Sequence, residues 1–239
     1  MTDISIQSDP VIRKYIKKKK IAIIPVGAIE QHGSHLPIST DSDIVSEVAK
    51  RLAKKMNYLL LPTVKYGVSA EHAPLFQVSL KETTLRRVLK DICTSLLECG
   101  IKIIFIVNGH HGNTSALKGL DEKINKDTEG MLNVHILSYW HFMDGEFDHA
   151  GHVETSLMLA ISKNVKMELA RKGLVTDNMS ENEIRRLGRL AAKSFPAVTK
   201  NGVWGDPTRA TKKKGQAIMS EIVENMQKRC QTCLTENNP

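Results

Sequence analysis

Residues 21–43 read IAIIPVGAIEQHGSHLPISTDSD. The first six, Ile21 to Val26, form an unbroken apolar run of the kind that makes a strand buried on both faces. Beyond the quoted stretch, Ile44, Val45, Val48, Ala49, Leu52, Ala53 and Met56 recur at helical spacing. Strand, polar loop and helix make the first part of a βαβ unit, and the loop carries Glu30, His32 and Asp41. Glu30 and His32 are two residues apart, so in extended backbone they point the same way. A loop that returns to its origin brings Asp41 beside them. Carboxylates and imidazoles converging in this way suit a divalent transition ion such as Zn, Mn or Fe. The competing reading leaves Glu30 and His32 as ordinary loop groups and Asp41 as a helix N-cap.

Working outward, the pattern repeats. Residues 58–64 read as a second strand, with Pro62 near its end, and 66–80 as a long irregular loop. Leu85, Val88, Leu89, Ile92, Leu96 and Leu97 form one helix face, closed by Gly100. Residues 101–107 are apolar apart from Lys102 and read as a central parallel strand. A helix over 114–126, a strand over 134–139 and helices over 153–161, 180–194 and 210–230 follow. This alternation predicts an α/β fold with a mostly parallel sheet flanked by helices on both faces. No linker or repeat interrupts it, so residues 1–239 are expected to form a single domain. In such sheets, ligands bind outside the carboxyl ends of the strands.

Those ends carry the histidines. After 101–107 comes Asn108-Gly109-His110-His111-Gly112-Asn113, and after 134–139 come Trp140, His141, Asp144 and the run DHAGHVETS at 148–156. All nine histidines lie between His32 and His152, whereas lysine and arginine reach both ends of the chain. Histidines with structural roles alone have no reason to gather at strand ends. A phosphate loop or dinucleotide fingerprint is absent, as is the G-x-S-x-G nucleophile elbow. Trp140 is read either as a lid over a pocket or as a core residue.

Composition narrows the class further. Hydrophobic content of 41% and charged content of 25% are those of a globular protein, and no apolar run is long enough to span a membrane. The N-terminal segment has no signal-peptide core, which makes the cytoplasm the expected compartment. The net charge is +8, and Lys17–Lys20 and Lys212–Lys214 are the two dense basic runs. Neither run is interleaved with aromatics, so nucleic acid is not an expected partner. Cys230 and Cys233 have C-x-x-C spacing, but no matching pair accompanies them, and structural thiols are expected.

The motifs resemble those of the creatininase family of metal-dependent amidohydrolases. The matching segments are E-x-H-G…L-P…T-D over 30–41, S-x-E-H over 69–72 and N-G-H over 108–110, then H-A-G-x-x-E-T-S over 149–156 and G-D-P-x-x-A-T-x-x-K-G over 205–215. The resemblance implies two divalent ions (Zn, Mn or Fe), with Glu30 and His110 on one, His32 on the other and Asp41 bridging. It also implies a hexamer or another symmetric homo-oligomer. Creatininase itself has a further ligand glutamate where this chain has Gly112, and Glu154 is the expected replacement. The chain also departs at Leu75-Phe76-Gln77-Val78, where relatives commonly have Phe-Pro-Gly-Thr, in a loop expected to border the substrate.

The implied chemistry is hydrolysis of a non-peptide C–N bond in a small cyclic amide or formamide by metal-bound hydroxide. His149 is the expected general acid, with His72 and Glu71 as lesser candidates. The alternatives are a deformylase of formamidopyrimidine ribotides, a mycofactocin-type peptidase, or a metal-retaining binding protein that has lost turnover, for which Gly112 is the hint.

Overall fold

The computed structural model describes residues 3–236. Four parallel strands, β1 (Ile21–Val26), β2 (Leu59–Leu60), β3 (Ile103–Asn108) and β4 (Asn133–Ser138), lie in the order β2-β1-β3-β4. β1 and β3 pair from Ile21↔Ile103 to Val26↔Asn108, so both strands end at the same edge. β2 is much shorter than the predicted strand over 58–64. Pro25 has no N–H to continue the ladder with β2, and Pro62 has none either. Pairing beyond Leu61 is reduced to a bridge between Val26 and Val64.

Alternation along the strands sorts the core into two layers. Ile23, Phe105 and Val107 pack with helices α2 (Thr40–Met56), α6 (His152–Ile161) and α9 (Lys212–Glu236). Ala22, Ile24, Ile104 and Ile106 face α3 (Glu82–Glu98), α4 (Thr114–Leu117) and α5 (Leu120–Asp127). The predicted helix over 114–126 is two helices, interrupted at Gly119, which takes φ +65°. Helices therefore cover both faces of the sheet, as predicted.

Three further elements differ from the sequence expectation. A helix over Asp9–Lys18 (α1) was not foreseen; Asp9 and Pro10 begin it, and Lys17 and Lys18 lie in its last turn. There they oppose the negative end of the helix dipole, which gives the basic run 17–20 a local role. The helix expected over 180–194 closes at Ala191 (α7, Glu181–Ala191), and Pro196 starts a separate short helix, α8 (Phe195–Thr199). α9 runs beyond 230 and buries Cys230 and Cys233. It seats α6 through Met219, Ile222 and Met226 against Val153, Leu157 and Met158, and Thr211 N–H donates to Ser156 Oγ at 3.1 Å.

Candidate metal centre

The loop after β1 does return to its origin. Glu30 N–H donates to Ile38 O at 3.0 Å, and Ser42 Oγ donates to Ala28 O at 2.9 Å. α2 begins at Thr40, so Asp41 is in its first turn and does not occupy the cap position, which belongs to Ser39. The turn after β3 is held by its asparagines. Asn108 Oδ1 accepts from His110 N–H at 3.1 Å, and Asn113 Nδ2 donates to Gly27 O at 3.1 Å. Glu154 is placed by Asp148, whose carboxylate accepts from the N–H groups of Val153 (2.8 Å) and Glu154 (3.1 Å) at the start of α6.

These three strand ends bring Glu30, His32, Asp41, His110 and Glu154 together, all nearly or fully buried. Asp41 sits between two histidines, with Oδ1 3.3 Å from His32 Nε2 and Oδ2 3.0 Å from His110 Nδ1. His32 Nε2 is also 3.5 Å from Glu154 Oε2, and His110 Nε2 is 3.2 Å from Glu30 Oε2. Two ligands of a tetrahedral ion, each ~2.1 Å from it, stand roughly 3.4 Å apart. Donor atoms gather into the sets Glu30–Asp41–His110, His32–Asp41–Glu154 and Glu30–His32–His149.

The chemistry of these atoms fits a cation. Glu30 Oε1 and Oε2, His32 Nε2, Asp41 Oδ2 and Glu154 Oε1 are buried without a hydrogen-bond partner. Buried polar atoms are ordinarily satisfied, and these face one another. The imidazoles are also oriented for ligation through their far nitrogens. His32 Nδ1 donates to Glu30 O at 3.1 Å, leaving Nε2 free, while His110 Nε2 donates to Val68 O at 2.7 Å, leaving Nδ1 toward Asp41.

Electrostatics point the same way. Burial pushes the Glu30 carboxyl up to about 7 and that of Glu154 up to about 8. Burial also disfavours charge on Asp41, but His32 and His110 override it and hold this carboxyl well below the usual range. Both histidines, lowered by burial, are raised further by the carboxylates, to about 10. Without a cation the cluster must therefore keep protons among its carboxyl and imidazole groups.

Above the cluster opens a cavity of ≈590 Å³, lined among others by Val68, Glu71, His72, His149, Phe195 and Trp204. His72 Nε2 lies 3.2 Å and His149 Nδ1 3.7 Å from Glu30 Oε1. Glu71 belongs to none of the donor sets and lies on the wall, where burial raises its carboxyl. The loop expected to border the substrate lines the cavity through Val68, Glu71 and His72. Its 75–78 portion instead pairs with Ile29–Gln31, through Gln31 N–H to Phe76 O at 2.8 Å and Val78 N–H to Ile29 O at 2.9 Å. Trp140 does not line the cavity; it stacks on Phe147 at 4.9 Å against the core. Trp204, Phe195, Asp148 and Gln31 were missed by the sequence reading. An acid just ahead of a helix could have flagged Asp148, and position between two ligands could have flagged Gln31. Nothing in the sequence marks Trp204 or Phe195 as cavity residues.

Gly112 has a steric explanation. A Cβ there would collide with the His110 ring and Val68 O and would come within 2.6 Å of Glu71 Oε1. Gly112→Glu is therefore expected to displace His110 instead of supplying a ligand. It should lower bound metal per chain and cost about 1–3 kcal/mol by overpacking, read by metal analysis and thermal melting. A fully loaded variant of wild-type stability would overturn this account.

The family model for creatininase, described as creatinine amidohydrolase, matches residues 7–230. The chain belongs to the creatininase family. Among curated relatives, the mycofactocin precursor peptide peptidase of Mycobacterium ulcerans is 32% identical over 219 residues, covering 85% of this chain and 81% of that protein. The 2-amino-5-formylamino-6-ribosylaminopyrimidin-4(3H)-one 5'-monophosphate deformylase of Methanothermobacter thermautotrophicus is 29% identical over 223 residues, covering 87% and 86%. A creatininase mutant of Zn-Zn type has the same fold, with a TM-score of 0.83 at 22% identity over 100% of this chain and 99% of that one. Creatininase family structures with zinc and with manganese are thus among those sharing this fold.

Proposed function

We propose that this chain is a metal-dependent amidohydrolase that cuts a non-peptide C–N bond in a small cyclic amide or formamide. The observation that carries this reading is the pair of donor sets sharing Asp41 at the floor of a cavity. Glu30 and His110 would hold one divalent ion, His32 and Glu154 the other, and Asp41 both; Zn, Mn and Fe suit this oxygen and nitrogen set. Bound there, the ions would acidify water and polarise the scissile carbonyl. The chain's own residues do the rest. Phe195 and Trp204 wall the pocket, and His149, kept neutral by burial, turns its Nδ1 N–H to the leaving nitrogen as a hydrogen-bond donor, the proton that nitrogen takes coming from the attacking water. His72 Nε2, 3.2 Å from Glu30 Oε1, lies beside that carboxylate.

No lysine or arginine is among the described lining residues, so a substrate phosphate finds no side-chain counter-charge there. That favours an amide without phosphate. A second reading is peptide-bond cleavage. The cavity supports it, being within the roughly 300–1,000 Å³ that accommodates drug-sized ligands and larger than one small ring requires. The same proposal takes residues 1–239 as one domain, acting in the cytoplasm as a symmetric homo-oligomer such as a hexamer. Ile38, Phe76 and Val78, exposed beside the site loop, offer an apolar surface for assembly. No helix among the described residues is long and apolar enough to cross a membrane.

The test is a panel of creatinine, a formamidopyrimidine ribotide and short peptides, assayed for amine or formate release. Turnover of a small amide should vanish with chelator and return with Mn, Zn or Fe. Turnover indifferent to chelator overturns the proposal, and release from peptides alone selects the second reading.

A further inference from the structure

Gln31 lies in sequence between Glu30 and His32 but contributes to none of the donor sets. Its side chain is buried, and Oε1 accepts from Gly33 N–H at 3.0 Å, which fixes the two ends of the amide. The amino end, Nε2, then lies 2.9 Å from His72 Nδ1 and 3.1 Å from His149 Nε2. Gly202, at φ +74°, packs directly on this amide; a Cβ there would overlap Gln31 Oε1. Phe195 covers both imidazoles, with its ring centroid 4.6 Å from each.

An amide NH₂ has two donors and no acceptor. Set against two imidazole nitrogens, it needs a lone pair on each, so each ring must carry its proton on the other nitrogen. For His72 that nitrogen is Nε2, 3.2 Å from Glu30 Oε1. For His149 it is Nδ1, 3.7 Å from the same oxygen. The opposite tautomer of His149 would donate from Nε2 to the backbone oxygen of Gln31, 3.1 Å away, and would present a lone pair at Nδ1. The amide and the carbonyl of one residue thus compete for one nitrogen, and the winner decides whether His149 offers the site a donor or an acceptor.

We propose that Gln31 is a positioning residue that sets the tautomers of His72 and His149 together, so that His149 keeps an N–H at Nδ1. The inference rests on the reading of His149 as hydrogen-bond donor to the leaving nitrogen. It adds that this donor's orientation is imposed by a residue that touches neither ion nor substrate.

The tautomers can be read directly from long-range ¹H–¹⁵N spectra of histidine-labelled protein, both metal-free and zinc-loaded, with His72→Asn and His149→Asn for assignment. Wild type should show the proton on Nε2 of His72 and Nδ1 of His149. Gln31→Glu, which only accepts, should reverse both, and Gln31→Met, which cannot donate, should release His149 to the Nε2-protonated form. In both variants kcat should fall about 10–100-fold, the range typical for residues that orient a site from its outer shell, with KM and metal content unchanged. A wild-type His149 protonated on Nε2, or variants with unaltered tautomers, overturns the proposal whatever their activity. Equal loss of metal and activity also overturns it, in favour of a role in holding the ligand loop. A tautomer change with kcat intact refutes the donor role of His149 while leaving metal-dependent hydrolysis standing.

Discussion

Asp41→Ala protein is expected to purify with neither ion and to lose turnover by about 10³-fold or more. Asp41 alone belongs to the donor set of Glu30 and His110 and also to that of His32 and Glu154. Removing it strips a ligand from both, and leaves His32 and His110 without the carboxylate between them. Metal catalysis is worth several kcal/mol of transition-state stabilisation, and each ~1.4 kcal/mol is a factor of ten in rate. Asp43, two residues on, provides the control. It accepts from Ser39 Oγ at 2.8 Å on the first turn of α2 and joins no donor set. Asp43→Ala should keep both ions and near-normal turnover. Metal analysis of the two dialysed proteins decides; loss of metal from Asp43→Ala with retention in Asp41→Ala would exclude the assignment.

Glu154→Gln should lose about one ion per chain and reduce turnover by about 10²-fold or more, on the same scale of metal contributions. Oε2 of Glu154 already accepts from Ala150 N–H at 2.7 Å, a contact a glutamine can keep, so the change removes charge with little change of shape. A second readout moves in the opposite direction. Burial raises the Glu154 carboxyl to about 8, so ionising it between its ordinary 4.5 and that value costs the folded state free energy as pH rises. Glutamine does not ionise. Metal-free Glu154→Gln should therefore melt above metal-free wild type near pH 8, by about 2–4 °C for each kcal/mol recovered. Loading with metal should reverse the order, because the wild type gains an extra ion. Two ions, wild-type activity and unchanged melting would reduce Glu154 to a residue of the first turn of α6.

The strands were legible because runs such as Ile21 to Val26 and Ile103 to Val107 are apolar without interruption, as burial on both faces requires. β2 was read too long because pairing depends on a proline in the neighbouring strand, which a reading of 58–64 alone does not consult. α1 was missed because its partly buried Ile12, Tyr15 and Ile16 are outnumbered by charge. In the site, the residues brought together were those whose side chains could themselves bind an ion. The residues that orient them, Gln31, Asp148 and Asn108, act through geometry between distant loops, and residue type alone does not reveal it. Gly112 looked like a lost ligand in one dimension. In three dimensions it is a space already filled by Val68 O and Glu71.

The seat of α6 against α9 bears on how the protein matures. Glu30, His32, Asp41, His110 and Glu154 have all been synthesised by the time the ribosome passes residue 154. The helix that carries the last of them still lacks the surface on which Val153, Leu157 and Met158 pack. At ~5–20 residues per second, α9 follows roughly 4–16 s later. During that interval the nascent chain owns these candidate ligand side chains but no rigid frame to aim them. The frame that aims them is complete only once α9 has docked on α6.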